Sequence, residues 1–147
     1  MHRSEYLLDV AHSLGACQLL ELELKLYIER AFHVTRKKTK GVVPFRFTGE
    51  DYEDASLERL ISVFRKLNEN QSLIGKLDKF RKDRNFVAHK AVTHCLDPVD
   101  GGFVDSHVEE VQKMLNRVAS DAHELSKQVY EESRQFLGHY YFDEEKT

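Results

Sequence analysis

Apolar residues recur at steps of three and four along most of the chain, the spacing of one face of an α-helix. The first such segment runs from Glu5 to Val34, with Ser4 placed to cap its N-terminus. Glu21 falls in the apolar phase, so it is either a rim position near solvent or a carboxylate placed inside a cleft. The apolar positions of this predicted helix are Leu7, Val10, Leu14, Cys17, Leu24, Ile28 and Ala31.

A polar, cationic connection follows from Arg36 to Phe47, and Pro44 within it lacks the N–H that a continuing helix needs. Thr48 or Asp54 is the expected cap of the next element. The second predicted helix lies within residues 55–70 and ends at an Asn-rich turn. Its apolar side comprises Leu57, Leu60, Ile61, Phe64 and Leu67.

The third predicted helix starts at Ser72 and runs through Ala91, with apolar positions that continue toward Phe86 and Val87. Asp-Pro and Gly-Gly pairs then mark residues 93–102 as a loop. Asp105 or Ser106 can cap the last helix, whose apolar seam has coiled-coil spacing and predicts packing against the long first helix. That seam comprises Val108, Val111, Leu115, Val118, Ala122, Leu125 and Val129, and the tail 138–147 either docks its aromatic residues or stays loose.

Composition supports an all-α fold. Seven Gly and two Pro are nine of 147 residues, well below the roughly 12% of average proteins, and so few turn-formers disfavour a many-stranded fold. The length suits one domain, 1–147, with one buried core. We therefore expect a helical bundle of four to five helices, in which two long helices pack antiparallel and shorter helices pack against them.

Charge and cysteine content narrow the class of protein. A formal charge of −3 excludes a polybasic nucleic-acid arm, so any anion site must be local. No uncharged stretch has the length of a membrane span or a secretory leader, and two isolated cysteines do not make a disulfide framework. We expect a soluble cytoplasmic protein with no membrane partner.

Two segments are locally basic. Residues 76–90 carry six cations against two acids, and residues 29–40 carry five against one, so each has an excess of +4. These are either solvated helix faces or parts of an anion-binding surface.

The first of these segments contains Arg84, Asn85 and His89 in the order R-N-x-x-x-H, with Ala88 before the histidine and Lys90 after it. In an all-helical chain of this size, the motif resembles the R-x4-6-H signature of the HEPN superfamily. The resemblance implies a metal-independent endoribonuclease, without a cofactor, that acts on RNA as a toxin–antitoxin or phage-defence effector. It also implies an antitoxin or another defence-system protein as a partner.

The chain departs from one branch of that family at Ala91. In the toxins that pair with minimal-nucleotidyltransferase antitoxins, a Tyr that the antitoxin modifies stands two residues after the histidine. Ala91 has no hydroxyl to modify, so the resemblance does not extend to that form of regulation.

Arginine and histidine suit metal-free RNA cleavage for a physical reason. Imidazole takes up and donates protons near neutral pH, as attack by the 2′-OH requires. A guanidinium grips phosphate in a forked geometry and stabilises the negative charge that builds on its oxygens. His89 and Arg84 are thus the predicted catalytic residues, and Asn85 is predicted to orient the phosphate or the imidazole.

Helix geometry adds a constraint, because five residues subtend about 500° and leave Arg84 and His89 about 140° apart. The site needs either a distorted helix end near His89 or a second copy of the motif. We expect a composite site at a homodimer interface, which the resemblance also implies. Its predicted RNA-binding residues are Lys82, Lys90 and Arg81 near the motif, with Lys37 and Lys38 extending the RNA path.

The alternative function is a non-catalytic helical module of the same ancestry that binds a protein or a nucleotide. In that case Arg84 is tied to a carboxylate such as Asp83 or Glu21, and His89 is buried in a hydrogen bond. A metal site at His89, His94 and Cys95 is disfavoured because the spacing is wide and a fourth ligand is lacking. The other helical histidines, His12, His107 and His123, are expected to have no catalytic role.

Overall fold

The computed structural model describes the backbone of residues 3–142 and the side chains of residues 3–139. Within that range the chain is an all-α bundle of four helices. The helices are α1 (Arg3–Thr39), α2 (Leu57–Leu67), α3 (Gln71–Lys90) and α4 (Asp105–Phe142), and short 3-10 turns lie at Gly49–Tyr52 and Thr93–Cys95.

Side-chain caps set the starts of the middle helices. The Ser56 hydroxyl accepts a hydrogen bond from the Arg59 amide at 3.3 Å, and the Asn70 side chain accepts one from the Leu73 amide at 3.1 Å. Thr48 precedes the 3-10 turn at Gly49–Tyr52 rather than α2. The predicted bounds of α2 and α3 are therefore correct to within three residues.

The first helix is longer than predicted. α1 continues to Thr39 and includes Lys37 and Lys38, which the sequence placed in a connection. Nothing in residues 35–39 breaks a helix, and the chain turns only at Gly41, where φ is 82°. The two lysines are therefore held on the last turn of a rigid helix.

The predicted antiparallel packing of the two long helices is wrong, because α1 and α4 run parallel. Gln112, near the start of α4, donates a hydrogen bond to Asp9 near the start of α1 at 2.8 Å. Further along both helices, the rings of Tyr27 and Phe136 lie 5.1 Å apart. The reason is the intervening α3, which returns the chain to the N-terminal end of α1 before α4 begins.

One hydrophobic core joins all four helices. The seam predicted for α4 is confirmed, since each of its seven apolar positions is buried. On α1 the buried side chains include Val10, Cys17, Leu24 and Ile28, whereas Leu7 is 38% exposed and does not belong to the core. In the predicted tail, residues 138–142 continue α4, and residues 143–147 lie outside the described part of the chain.

The outer side of α1 is also apolar. Leu8, Leu19 and Leu22 are 68%, 55% and 51% exposed, so the single chain leaves them uncovered. No helix among residues 3–142 has the length and apolar content needed to cross a membrane.

Candidate functional site

Arg84 lies on the inner face of α3. It continues the row formed by Leu77, Phe80, Val87 and Ala91, all of which are buried against the bundle. These positions are separated by three or four residues, so their side chains share one side of the helix. The guanidinium therefore extends toward α1 rather than into bulk solvent.

The Arg84 guanidinium forms an ion pair with Glu21. One Glu21 carboxylate oxygen, Oε1, lies 3.1 Å from Arg84 Nη2, and the two side chains are 17% and 26% exposed, respectively. Both residues occupy apolar-phase positions of their helices, so the ion pair replaces what would be a hydrophobic contact in the seam between α1 and α3. Of the two interpretations of Glu21, a carboxylate inside the structure describes its position better than a solvated rim does.

The pair leaves polar atoms with unused capacity. Arg84 Nε is buried and makes no hydrogen bond with any described residue. Nearby, burial raises the pKa of the Cys17 thiol to about 11, with the Arg84 charge lowering it and the Glu21 charge raising it. Glu21 Oε1 is likewise buried without a hydrogen bond, so the ion pair holds Arg84 in the seam and leaves both partners incompletely hydrogen-bonded.

His89 lies on the outer side of the same helix. It is exposed together with Asn85 and Lys82, and steps of three and four residues place the three side chains on one face. Within residues 3–139 none of the three makes a hydrogen bond or an ion pair. This exposed face offers an imidazole, an amide and an ammonium group to a ligand.

The two halves of the motif thus differ in environment. α3 is a regular helix through Lys90, so the distorted helix end that one chain would need is not observed. Arg84 and His89 are separated by about 7.5 Å of helix rise and point about 140° apart. A single copy does not direct both groups at one phosphate.

The structure brings only some of the predicted RNA-binding residues to this region. Lys82 and Lys90 are exposed near His89, whereas Arg81 faces α2 and lies 3.6 Å from Glu58. Lys37 and Lys38 lie about 24 Å along α1 from Glu21, given about 1.5 Å per residue. They can contact the same RNA only if it spans that distance.

Sequence reasoning missed a group of rings beside the motif. The rings of Phe86 and His94 meet edge to face with centroids 5.7 Å apart, and those of His94 and His107 stack at 5.4 Å with an interplanar angle of 27°. The twelve residues between the histidines include an irregular loop, so no helical spacing links them. The only sequence clue is the number of histidines that follow the motif.

The described side chains at the same end of the bundle do not form a metal site. Cys95 is buried and its sulfur lies 3.3 Å from the Tyr6 hydroxyl, which also donates a hydrogen bond to the Ala91 carbonyl at 2.6 Å. Across residues 3–139 no three His, Cys, Asp or Glu side chains are grouped to hold an ion. Cys95 packs in the core, whereas His94 is exposed.

Comparison with known proteins returned no match to any protein-family model, curated protein or solved structure.

Proposed function

We propose that this protein is a metal-independent endoribonuclease of the HEPN type, with Arg84 and His89 as its catalytic residues. The observation that carries the proposal is the arrangement of the R-N-x-x-x-H segment on α3. His89 and Asn85 are exposed on one face of α3. Arg84 lies about one and a half helical turns before His89 and forms an ion pair with Glu21. An imidazole and a guanidinium are the two groups that metal-free phosphodiester cleavage can use, and a second copy of the chain would bring one of each to the same phosphate.

In the proposed reaction the 2′-oxygen attacks the adjacent phosphorus and the 5′-oxygen of the next nucleotide leaves. His89 removes the proton from the 2′-OH or delivers one to the leaving oxygen. Arg84 binds the phosphate oxygens as their negative charge increases. The products are a 2′,3′-cyclic phosphate and a free 5′-hydroxyl, so the step needs no metal or cofactor.

A homodimer completes this proposal. Since α3 is regular, Arg84 and His89 of one chain diverge, and a second copy must supply the missing group. The exposed Leu8, Leu19 and Leu22 of α1 support self-association, because three large apolar side chains on one helix gain from being covered. Sedimentation at micromolar concentration tests it: a strictly monomeric protein that still cleaves RNA contradicts the shared site.

The activity test uses purified protein with mixed cellular RNA in excess EDTA. We expect cleavage by the wild-type protein and its loss in Arg84→Ala and His89→Ala, while His123→Ala retains it as an exposed-histidine control on α4. Unchanged cleavage by both substituted proteins contradicts the site assignment. Host toxicity on expression, relieved by a neighbouring gene, is the corresponding test of a toxin–antitoxin role.

One observation favours a second candidate function. The Arg84–Glu21 ion pair is what a non-catalytic interaction module predicts, since it commits the guanidinium to the protein itself. Folded wild-type protein that cleaves no RNA, even when its dimer is demonstrated, favours the module.

A further inference from the structure

The side chains of Phe86, His94 and His107, here called the ring platform, form a continuous aromatic cluster on the surface. They come from three different elements: α3, the 3-10 turn at Thr93–Cys95, and the first turn of α4. The edge-to-face contact of Phe86 supports the His94 ring, and His94 stacks on His107. Both imidazoles are nevertheless exposed.

Holding two exposed histidine rings stacked on each other costs side-chain entropy. Phe86 is partly buried against the core, whereas the two imidazoles lie outside it, and among the described residues they lack the third side chain that a metal would need. Rings already held in place bind a further flat group without that ordering cost. Among the ring contacts of residues 3–139, His107 meets only His94, which leaves its other face for such a group.

The platform adjoins the proposed catalytic face. Phe86 follows Asn85 directly, and Phe86 precedes His89 by three residues, about 4.5 Å of rise and about 60° around the helix. Lys90 is exposed in the same turn. A nucleotide whose phosphate contacts His89 therefore has its base within reach of the rings.

We propose that the ring platform is a stacking site for a base of single-stranded RNA, next to the phosphate that is cleaved. Unpaired bases stack on aromatic side chains, and the interaction tolerates any base because every base has a π-face. The proposal rests on the proposed nuclease function and adds a substrate class to it. Bases within a duplex are already stacked and unavailable, so unpaired segments are the preferred substrate.

The test measures binding of two fluorescein-labelled decamers by anisotropy. One is 2′-O-methyl oligouridine, which lacks the attacking hydroxyl and stays intact. The other has the same length and charge but no bases. Wild-type protein is expected to bind the base-bearing decamer at least about 5-fold more tightly, the lower end of the range for one stacked base.

Substitution separates stacking from charge. His107→Ala and His94→Ala should each lower the affinity for oligouridine about 5-fold or more and leave the affinity for the abasic decamer unchanged, whereas His107→Phe should retain binding. His123→Ala is the matched control, an exposed histidine about 24 Å further along α4. Equal losses for both decamers, or no loss in either alanine variant, overturn the platform.

The outcomes distinguish the platform from the nuclease. If wild-type protein cleaves RNA in EDTA but its preference for bases survives both alanine substitutions, the platform falls and the nuclease stands. If bases are bound through the rings and no RNA is cleaved, the nuclease falls and the stacking site stands. If neither decamer is bound and no RNA is cleaved, both fall.

Discussion

Replacing both members of the Arg84–Glu21 ion pair by methionine should cost less stability than replacing either one alone. Both residues occupy apolar-phase positions in the seam between α1 and α3, and methionine has a similar length without the charge. A single replacement leaves the other charge without its partner in a largely dry seam. The double replacement leaves none and adds a hydrophobic contact.

The solvent exposure of the two side chains sets the expected loss of stability. Fully exposed ion pairs contribute about 0–1 kcal/mol, and breaking a buried pair costs about 3–5 kcal/mol. With side chains 26% and 17% exposed, this pair lies between those limits. We expect Glu21→Met and Arg84→Met each to lower the free energy of unfolding by about 1–3 kcal/mol, and the double variant to lie within about 1 kcal/mol of wild type or above it.

The assay is urea unfolding followed by helical circular dichroism at one fixed protein concentration, so that the proposed self-association affects all variants alike. The control is the exposed pair of Arg134 and Glu131 on α4, 63% and 62% exposed. Its methionine replacements should be nearly additive. If the double variant of the Arg84–Glu21 pair loses as much as both single variants together, the reasoning is refuted. A double variant that is stable but does not cleave RNA would show that the ion pair serves the activity and not the stability of the fold.

Three further predictions concern the core and its titrating groups. Asn68→Ala should lower the free energy of unfolding by about 1–3 kcal/mol in the same assay, because its side chain donates to the Tyr27 hydroxyl and to Glu132, both at 3.1 Å; a loss below 0.5 kcal/mol contradicts this. Cys17 and Cys95 are buried, and burial raises the Cys17 pKa to about 11, so neither thiol should react with a disulfide reagent at neutral pH until urea unfolds the protein. Burial raises the Glu23 pKa above its ordinary value of 4.5, so the contribution of Glu23 to wild-type stability should fall as pH rises from about 4.5 through the raised value. Glu23→Gln should flatten that fall, and an unchanged pH profile would show that burial does not control this carboxyl.

The sequence alone was sufficient for much of the secondary structure. Local periodicity and capping residues place helices within a few residues of where they lie, because both depend on neighbours three or four positions away. The same arithmetic predicted that Arg84 and His89 diverge, and α3 is indeed regular through Lys90. The abnormal phase of Glu21 was visible too, although the sequence did not decide whether Arg84 pairs with Asp83 or with Glu21.

Only the tertiary structure decided how these elements meet. Periodicity predicted that α1 and α4 are partners but carries no information on direction, which is set by the path of α3 between them. The Glu21–Arg84 ion pair joins residues 63 positions apart, and the stacking of His94 on His107 joins residues 13 positions apart. No local sequence pattern relates residues at such separations. The sequence of a helix shows which of its faces is apolar. Which side chains share a site depends instead on packing between helices, and the free energy of that packing is spread over the whole core.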